Sequence, residues 1–358
     1  MMKEIVLVTG GAGFIGCELT RALGLQACPT VAVDSLLAQV HPQQARPDAL
    51  PEHVDLVVAD VRDAAFWKGF FAAHRPRQVI HLAAETGTGQ SLTESARHTS
   101  VNVTGLAEML DAMNAVGHRP DQVLLSSSRA VYGEGAWAAA DGTVFYPGSR
   151  DHKQLSEARW SFAGPDGAPA KPLSHKAGVV HPSPSSVYGA TKLAQEHILT
   201  AWAGALGVPV SILRFQNVYG PGQSPFNPYT GIITLFHRQA KAGKVIDVYE
   251  DGEIGRDFVF ISDVVAACVA ALAQPPDGIR TLDVGFGKAT TILDAARIIA
   301  ASHGAPEPQI SGKFRDGDIR WAVSDAAPLA NELGVRAVVD FVEGSRRVSE
   351  WLVANGHI

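Results

Sequence analysis

The sequence predicts an α/β fold built on a doubly wound parallel sheet. Short runs of aliphatic and β-branched residues alternate with longer segments that have apolar residues at helical spacing, and a glycine-rich turn directly follows the first run. Repeats of strand and helix form parallel sheets with right-handed crossovers. We expect strands at residues 5–8, 31–33, 56–58, 79–82, 123–126 and 210–215, and helices at residues 15–23, 101–113, 187–202, 263–272, 292–302 and 341–354.

Composition argues against several classes of protein. Hydrophobic residues make up 46% and charged residues 18%, which is typical of a folded globular chain. The net charge of −6, without a block of Lys or Arg, argues against nucleic acid as a partner. Cys17, Cys28 and Cys268 are scattered, so neither a metal site nor a disulfide framework is expected. The first residues enter a strand directly and no apolar run of about 20 residues follows, so we expect a cytoplasmic protein that does not enter membranes.

A phosphate-binding turn is expected in the segment TGGAGFIG that follows the first strand. Gly10, Gly13 and Gly16 let the backbone turn tightly and approach a pyrophosphate, which then lies at the N-terminus of the following helix. Asp34 lies 18 residues after Gly16, near the offset of about 20 residues expected for an acid that binds ribose hydroxyls. A carboxylate there repels the 2′-phosphate of NADP, and Gly11 offers no basic side chain to bind that phosphate. The sequence therefore favours a Rossmann fold that binds NAD.

Tyr188 and Lys192 form the candidate catalytic pair. Their spacing of four places phenol and ammonium on one face of the helix that begins there. Lys192 is expected to hydrogen-bond the cofactor ribose and to lower the pKa of Tyr188, so that a tyrosinate acts as general base toward a substrate hydroxyl. Ser128 ends the fifth strand, at the sheet edge where ligands bind, and is the expected partner of the reacting oxygen. Ser126 and Ser127 are expected to satisfy backbone groups.

Together these motifs resemble the extended short-chain dehydrogenase/reductase family, and within it the nucleotide-sugar 4-epimerases and 4,6-dehydratases. The similarity extends over nearly the whole chain. The resemblance implies that NAD is the cofactor and that it is held by the glycine loop, the ends of the strands and the catalytic helix. The implied cofactor-binding residues are Gly10, Gly13, Phe14, Ile15, Gly16, Asp34, Asp60, Val61, Leu82, Ala83, Ala84, Asn102, Ser126, Tyr188, Lys192 and Phe215.

The same resemblance implies a site for the diphosphate of a nucleotide-sugar. The segment RFQNVYGPG at 214–222 resembles one whose Asn reaches the diphosphate, and GRDFV at 255–259 and RDGD at 315–318 resemble two arginine motifs that grip it. A planar guanidinium offers paired donors to phosphate oxygens, which agrees with that role. The implied substrate-binding residues are Thr86, Ser128, Asn217, Arg256, Arg315 and Asp318.

The chain is too long for one small core, since single cores stop growing near about 250–300 residues. With the resemblance, this predicts an NAD-binding Rossmann domain over residues 1–222 and a smaller α/β nucleotide-sugar-binding domain over residues 223–358. The segment at about 135–182 has little periodicity and is expected to be an insertion or lid. Part of residues 258–285 is expected to return to the first domain.

Residues 129 and 130 favour one reaction of the family over another. Dehydratases carry an Asp-Glu pair directly after the strand hydroxyl, whereas this chain has Arg129-Ala130, which cannot exchange the required proton at neutral pH. Inversion at C4 through a transient 4-keto sugar is therefore favoured. The segments 85–91, 128–135 and 217–231, with the insertion, resemble most the dTDP-L-rhamnose 4-epimerases of polysaccharide biosynthesis.

Other readings stay open at this point. A 4-ketose reductase, or another epimerase or dehydratase of the UDP-glucose or UDP-glucuronate type, has the same scaffold, and a reductase exchanges its cofactor in each turnover. A non-catalytic dinucleotide sensor would retain the fold but has no need of Tyr188 together with Lys192. The resemblance also implies a homodimer formed through the helices near 101–113 and 187–202.

Overall fold

The computed structural model describes residues 5–24, 29–225 and 231–358. The strands are β1 (Val6–Thr9), β2 (Thr30–Asp34), β3 (Asp55–Val58), β4 (Gln78–His81), β5 (Gln122–Ser128), β6 (Trp137–Ala138), β7 (Val144–Phe145), β8 (Lys171–Pro172), β9 (Val210–Phe215), β10 (Asn217–Tyr219), β11 (Asp247–Val248), β12 (Gly255–Arg256), β13 (Phe258–Phe260), β14 (Ile279–Val284), β15 (Thr290–Thr291), β16 (Gln309–Ile310) and β17 (Trp321–Ala322).

The helices alternate with these strands. They are α1 (Phe14–Gly24), α2 (Ala64–Ala73), α3 (Thr88–Thr93), α4 (Ser95–Thr99), α5 (Gly105–Ala115), α6 (His152–Ser156), α7 (Val187–Leu206), α8 (Ile232–Lys241), α9 (Ile261–Ala273), α10 (Ile292–Ser302), α11 (Ala327–Leu333) and α12 (Phe341–Ala354).

Seven strands form one parallel sheet in the order β14-β9-β5-β4-β1-β2-β3. The chain winds outward from β1 in both directions, so its order reverses between β1 and β4. In such sheets the loops on either side of that point diverge and leave a crevice at the carboxyl ends of the strands. The doubly wound α/β fold expected from the sequence is confirmed.

Helices cover both faces of the sheet, and each face has its own core. On one face α2, α5 and α7 bury large side chains such as Trp67, Met109 and Leu199. On the other face α1 packs against α9, and this core continues into the C-terminal part of the chain. A parallel sheet that is covered on both faces has apolar residues along whole strands, which explains the unbroken runs in the sequence.

The helix expected at 101–113 has an irregular beginning. Ser100–Thr104 forms a π-helical turn, and α5 starts at Gly105. π-helical turns are rare and are often found at functional sites. Here the turn carries the fully buried Asn102, which reaches the backbone of Glu85 and the hydroxyl of Thr191 on α7.

The segment between Tyr132 and Tyr188 is folded, although its sequence shows little periodicity. β7, β6 and β8 form a small antiparallel sheet, and the ring of Trp137 meets that of Phe162 edge-on at 4.9 Å. Leu155 of α6 is also buried. Short strands with few residues each give too weak an alternation to be read from the sequence.

The C-terminal part combines small sheets with helices. β10 pairs with β13, β11 pairs with β16, and β12 lies between β15 and β17. Helices α8, α10 and α12 contact one another around the apolar core. In the sequence between α8 and α10, α9 packs on α1 and β14 adds an edge strand to the main sheet. The division of the chain at residue 222 stays a prediction.

Cys17 and Cys268 are buried, and burial raises the pKa of each thiol to about 12, whereas Cys28 lies outside the described residues.

Within residues 5–24, 29–225 and 231–358, every helix is too short or too polar to span a bilayer. The same residues contain no cluster of His, Cys, Asp and Glu side chains arranged as metal ligands.

Candidate active site

A cleft of about 2020 Å³ lies along the carboxyl ends of the parallel strands. A single small ligand usually occupies about 300–1,000 Å³, so the cleft has room for a cofactor and a substrate together. All the site residues predicted from the sequence line it, except Asn102. They are Gly10, Gly13, Phe14, Ile15, Gly16, Asp34, Asp60, Val61, Leu82, Ala83, Ala84, Thr86, Ser126, Ser128, Tyr188, Lys192, Phe215, Asn217, Arg256, Arg315 and Asp318.

The glycine loop has no room for side chains at Gly10 and Gly16. Gly10 has a φ of +68°, and a Cβ there would lie 2.7 Å from the backbone nitrogen of Ala83. A Cβ on Gly16 would collide with the carbonyl oxygen of Gly10, because the first turn of α1 lies against the loop. The loop therefore leads the backbone closely around the N-terminus of α1, where a pyrophosphate is favoured.

Asp34 is held at the end of β2 with its carboxylate at the cleft. Its Oδ2 accepts a hydrogen bond from the backbone of Ala12 (3.1 Å), and its Oδ1 accepts one from Leu36 (3.0 Å). A Cβ on Gly11 would lie 2.6 Å from that of Ala32, so no basic side chain fits there to neutralise a 2′-phosphate. These residues fit NAD, since the carboxylate can accept hydrogen bonds from ribose hydroxyls and repels a phosphate.

Other parts of the predicted cofactor wall are fixed by hydrogen bonds. Arg62 binds both carboxylate oxygens of Asp60 (2.9 and 3.1 Å from Nε), and this bonding lowers the pKa of Asp60. Thr9 bonds to the Nδ1 of the buried His81 (2.9 Å) and accepts from the backbone of Ala83 (3.3 Å). The segment after β4 is thus tied to β1 on the floor of the cleft.

Ser128, Tyr188 and Lys192 come together where β5 ends and α7 begins. Ser186 caps α7 by accepting a hydrogen bond from Gly189, and the backbone nitrogen of Tyr188 donates to Ser91 (3.1 Å). Lys192 follows one helical turn later and is 2% exposed.

The expectation that Lys192 lowers the pKa of Tyr188 is wrong for the described chain, in which that pKa is raised. Burial raises the pKa of Tyr188, while a hydrogen bond from Ser128 and the charge of Arg129 lower it. Burial also lowers the pKa of Lys192 to about 7, against the attraction of Glu196. The reason is desolvation, which disfavours the charged form of each partner and which residue spacing does not reveal.

The other two serines of β5 differ in their partners. Ser126 donates to the backbone oxygen of His81 (3.1 Å), which agrees with the expectation. Ser127 instead donates to the carboxylate of Glu196, so its expected backbone role is wrong. Glu196 in turn forms a buried ion pair with Arg214 (2.6 Å), and an acceptor that carries charge outcompetes a neutral carbonyl.

Asn102 lies behind the cleft wall. Its Nδ2 donates to the backbone oxygen of Glu85 (3.0 Å) and to Thr191 (2.9 Å), and its Oδ1 accepts from the backbone of Glu85 (2.7 Å). These bonds use both ends of the amide, so Asn102 joins the loop after β4 to α7.

The far end of the cleft carries the residues predicted to bind a diphosphate. Arg256 is buried and bonds to Asp318 (2.7 Å), and Arg315 lies over the ring of Tyr249 at 5.2 Å. The side-chain oxygen of Asn217 is buried, with no hydrogen-bond partner in the described chain. Thr86 is exposed at the rim.

Three residues at or near the site were not predicted from the sequence. Arg129 and Gln216 line the cleft, and both polar atoms of the Gln216 amide are buried, with no partner among the described residues. The sequence signal that could have identified them is that Arg129 and Gln216 adjoin the predicted site residues Ser128 and Asn217. Arg150 is buried and bonds to the backbone oxygen of Asp318 (2.8 Å), but it lies in a segment without a recognisable motif.

The chain belongs to the NAD dependent epimerase/dehydratase family, whose pattern it matches over residues 6–150 and 160–285. It is 52% identical to the dTDP-L-rhamnose 4-epimerase of Burkholderia thailandensis over 97% of this chain and 94% of that protein. Its fold is similar to UDP-glucose 4-epimerase from Thermotoga maritima, solved with UDP-glucose (26% identity, TM-score 0.78, 98% of this chain and 99% of the other).

The fold is also similar to UDP-glucose 4-epimerase of Thermus thermophilus in complex with NAD (27% identity, TM-score 0.75, 97% of this chain and 98% of the other). The family resemblance drawn from the sequence motifs is confirmed, and so is NAD as the cofactor. The roles of individual site residues stay predictions.

Proposed function

We propose that this chain is a nucleotide-sugar 4-epimerase that converts dTDP-L-rhamnose to dTDP-6-deoxy-L-talose through a transient 4-keto sugar. The observation that carries the proposal is the cleft itself, which is lined by Ser128, Tyr188 and Lys192 together with the glycine loop, Arg256 and Arg315. The identity of 52% with a dTDP-L-rhamnose 4-epimerase supports this choice of substrate.

Each end of the cleft has a binding task. The glycine loop (Gly10, Gly13 and Gly16) binds the pyrophosphate of NAD at the N-terminus of α1. The carboxylate of Asp34 accepts hydrogen bonds from the ribose hydroxyls of NAD. Arg256 and Arg315 supply donors to the diphosphate of the nucleotide-sugar. With the cofactor at one end and the diphosphate anchored at the other, the hexose lies with its C4 hydroxyl at Tyr188.

The chain's own groups move and hold one proton. Bound NAD supplies the reversible two-electron oxidation at C4. Tyr188 accepts the proton of the C4 hydroxyl and later returns it, while Ser128 hydrogen-bonds the same oxygen. Lys192 hydrogen-bonds the cofactor ribose. Inversion requires that the keto sugar turns over between the two steps, which a diphosphate anchor at the far end permits.

Ala130 and Arg129 support epimerisation over dehydration. Elimination of water needs an acid and a base beside the strand hydroxyl, and neither residue provides a carboxyl group. A 4-ketose reductase is the second candidate, because the same three catalytic side chains serve a net reduction.

A panel of dTDP-, UDP- and GDP-sugars tests the proposal. Incubation of the protein and NAD with dTDP-L-rhamnose is expected to give the C4 epimer, detected by NMR of the product. Ser128→Ala serves as the inactive control. If no sugar of the panel yields a C4-inverted product, the proposed function is wrong.

We further propose a cytoplasmic homodimer that serves polysaccharide biosynthesis. The family resemblance supports contact through α5 and α7. Ile198 and Trp202, both on α7, are half-buried in one chain. Sedimentation equilibrium is expected to give twice the mass of 37.8 kDa. A Trp202→Glu variant is expected to shift the mass toward that of one chain.

A further inference from the structure

Arg129 is a cation in the wall of the cleft that the mechanism above does not use. It directly follows Ser128 and begins a 3-10 turn, Arg129–Tyr132. The backbone nitrogen of Ala130 donates to the hydroxyl of Ser128 (3.2 Å), which fixes the start of that turn. Arg129 therefore lines the same cleft as Ser128 and Tyr188, and its charge acts on the phenol of Tyr188.

The guanidinium of Arg129 has no carboxylate to itself. Its Nη1 is buried, with no hydrogen-bond partner among the residues that the structure describes. Two carboxylates contribute to its electrostatic surroundings, but Asp318 is paired with Arg256 (2.7 Å) and Glu134 with Arg150 (3.3 Å). Burial and repulsion by Arg256 lower the pKa of Arg129 to about 9.

The side chain of Arg129 is half-buried. A charge that is partly removed from water without a counter-charge of its own opposes folding, because the loss of hydration is not compensated by a partner. Groups in such surroundings cluster at functional sites. The acceptor that Arg129 lacks in the protein is therefore expected to come from a ligand.

The position of Arg129 indicates which part of the ligand it meets. The groups that act on its charge include Tyr188 of the catalytic cluster and Arg256 with Asp318 of the proposed diphosphate site. In the proposed function, Tyr188 marks C4 of the sugar and Arg256 marks the diphosphate. Because Arg129 lines the same cleft and is within electrostatic range of both, it is expected to face the hexose ring that joins C4 to the diphosphate. The oxygens of that ring accept hydrogen bonds from guanidinium nitrogens.

We propose that Arg129 is a further substrate-binding residue, which donates hydrogen bonds to hexose oxygens near C4 and holds the sugar against Tyr188. This inference rests on the proposed function for the orientation of the ring. As a cation in the same cleft, Arg129 also favours the deprotonated phenol.

The charges around Tyr188 give this role a pH signature. Lys192 lies on α7 with Tyr188, and Arg129 lies on the 3-10 turn. The charges of Asp318, Arg256 and Glu134 act on Arg129. Arg129 lowers the pKa of Tyr188, so its removal raises that pKa. The acid limb of kcat/KM, on which the phenol must lose its proton, then moves to higher pH.

Three variants test the assignment. Arg129→Met removes the charge, Arg129→Lys keeps the charge without the forked donors, and Arg280→Met removes a part-buried arginine that lies outside the cleft lining. For each, we would measure NAD affinity, thermal unfolding, the pH profile of kcat/KM, and the separate affinities for dTDP and dTDP-L-rhamnose.

Arg129→Met is expected to lower affinity for dTDP-L-rhamnose by about 10- to 100-fold, the loss typical of a hydrogen bond to a charged group. Affinities for dTDP and NAD are expected to stay unchanged. The acid limb is expected to move upward by about one pH unit. Arg129→Lys is expected to keep the limb and lose sugar affinity, and Arg280→Met is expected to keep both.

Arg129→Met is also expected to melt at or above the wild-type temperature, because it removes a half-buried charge that has no carboxylate of its own. A lower melting temperature, with sugar affinity and pH profile unchanged, would show a structural role and overturn the proposal. Failure of the proposed function is a separate result, since wild-type protein would then not invert dTDP-L-rhamnose. If the wild type prefers a sugar carboxylated at C6 and Arg129→Met loses that preference, the contact is supported and the proposed substrate is wrong.

Discussion

At the scale of single residues, the site places functional charges where burial opposes them. Burial raises the pKa of Tyr188 and lowers that of Lys192 to about 7. The groups that favour a tyrosinate are the hydrogen bond from Ser128 and the cation of Arg129. Reactivity of the phenol therefore depends on neighbours from another element, Ser128 and Arg129.

Tyr188→Phe removes the proton acceptor and leaves the helix unchanged. General acid–base groups contribute about 10²- to 10⁴-fold, so kcat is expected to fall by at least that range. NAD affinity is expected to stay at the wild-type value, as measured by calorimetric titration. Turnover at the wild-type rate would remove Tyr188 from the mechanism.

Gly16→Ala tests the close approach of α1 to the glycine loop. The added Cβ would collide with the carbonyl oxygens of Gly10 and Gly11, so the loop must shift and NAD affinity is expected to fall by about tenfold or more. Gly69→Ala in α2 is the matched control, because a Cβ there meets no atom of the described chain within 4 Å. The control is expected to raise helix stability by about 0.5–1 kcal/mol and to leave NAD affinity unchanged.

At the scale of elements, a buried ion network joins the inserted segment to the C-terminal part. Arg150 pairs with Glu134 (3.3 Å) and Glu250 (2.7 Å), and Glu250 also pairs with Arg320 (3.1 Å). Arg150 donates to the backbone oxygen of Asp318 as well (2.8 Å). The insertion thus holds the loop whose carboxylate bonds to Arg256 at the proposed diphosphate site.

Arg150→Met is expected to destabilise the protein strongly. It leaves Glu134 and Glu250 buried with one cation fewer, and breaking a buried pair typically costs about 3–5 kcal/mol. KM for the nucleotide-sugar is expected to rise more than kcat falls, because the loop at Asp318 loses a donor. Chemical denaturation and steady-state kinetics measure the two effects.

Arg159→Met is the matched control on the same insertion. Arg159 pairs with Glu157 (2.7 Å) at the surface, where an ion pair contributes about 0–1 kcal/mol. Equal losses in the two variants would contradict a special role for the buried network.

At the scale of the whole molecule, one cleft is lined by residues of the parallel sheet and its helices and by residues of the C-terminal part. The glycine loop and catalytic helix belong to the layers around the sheet, whereas Arg256 and Asp318 belong to β12 and a loop of the C-terminal part. A ligand that spans the cleft therefore contacts both parts of the chain. Binding of such a ligand stabilises the folded state by mass action.

NAD is expected to remain bound through gel filtration, because an epimerase regenerates its cofactor internally. At a concentration of 100 times Kd, NAD stabilises the folded state by about 2.7 kcal/mol, which appears as a raised melting temperature. NADP at the same concentration is expected to raise it less, since the carboxylate of Asp34 repels the 2′-phosphate. Loss of the cofactor on the column with activity only when NADH is supplied would favour the reductase.

The sequence by itself determined the parts of the site that depend on local geometry. Gly10, Gly13 and Gly16 specify a tight turn between strand and helix, and the spacing of Tyr188 and Lys192 specifies one helix face. The strands β1, β2, β5 and β9 were placed to within two residues, because buried parallel strands give unbroken apolar runs. Alternation of strands and helices then fixed which ends of the strands meet at the cleft.

Tertiary structure alone decided the partners of the buried charges. Ser127 met Glu196, and Arg150 met Glu134 and Glu250, across 69, 16 and 100 residues of chain. It also left Arg129 without a counter-charge and raised the pKa of Tyr188. The physical reason is that desolvation and ion pairing depend on all the groups that packing brings together, whereas the spacing of residues in a sequence reports only the geometry within one element.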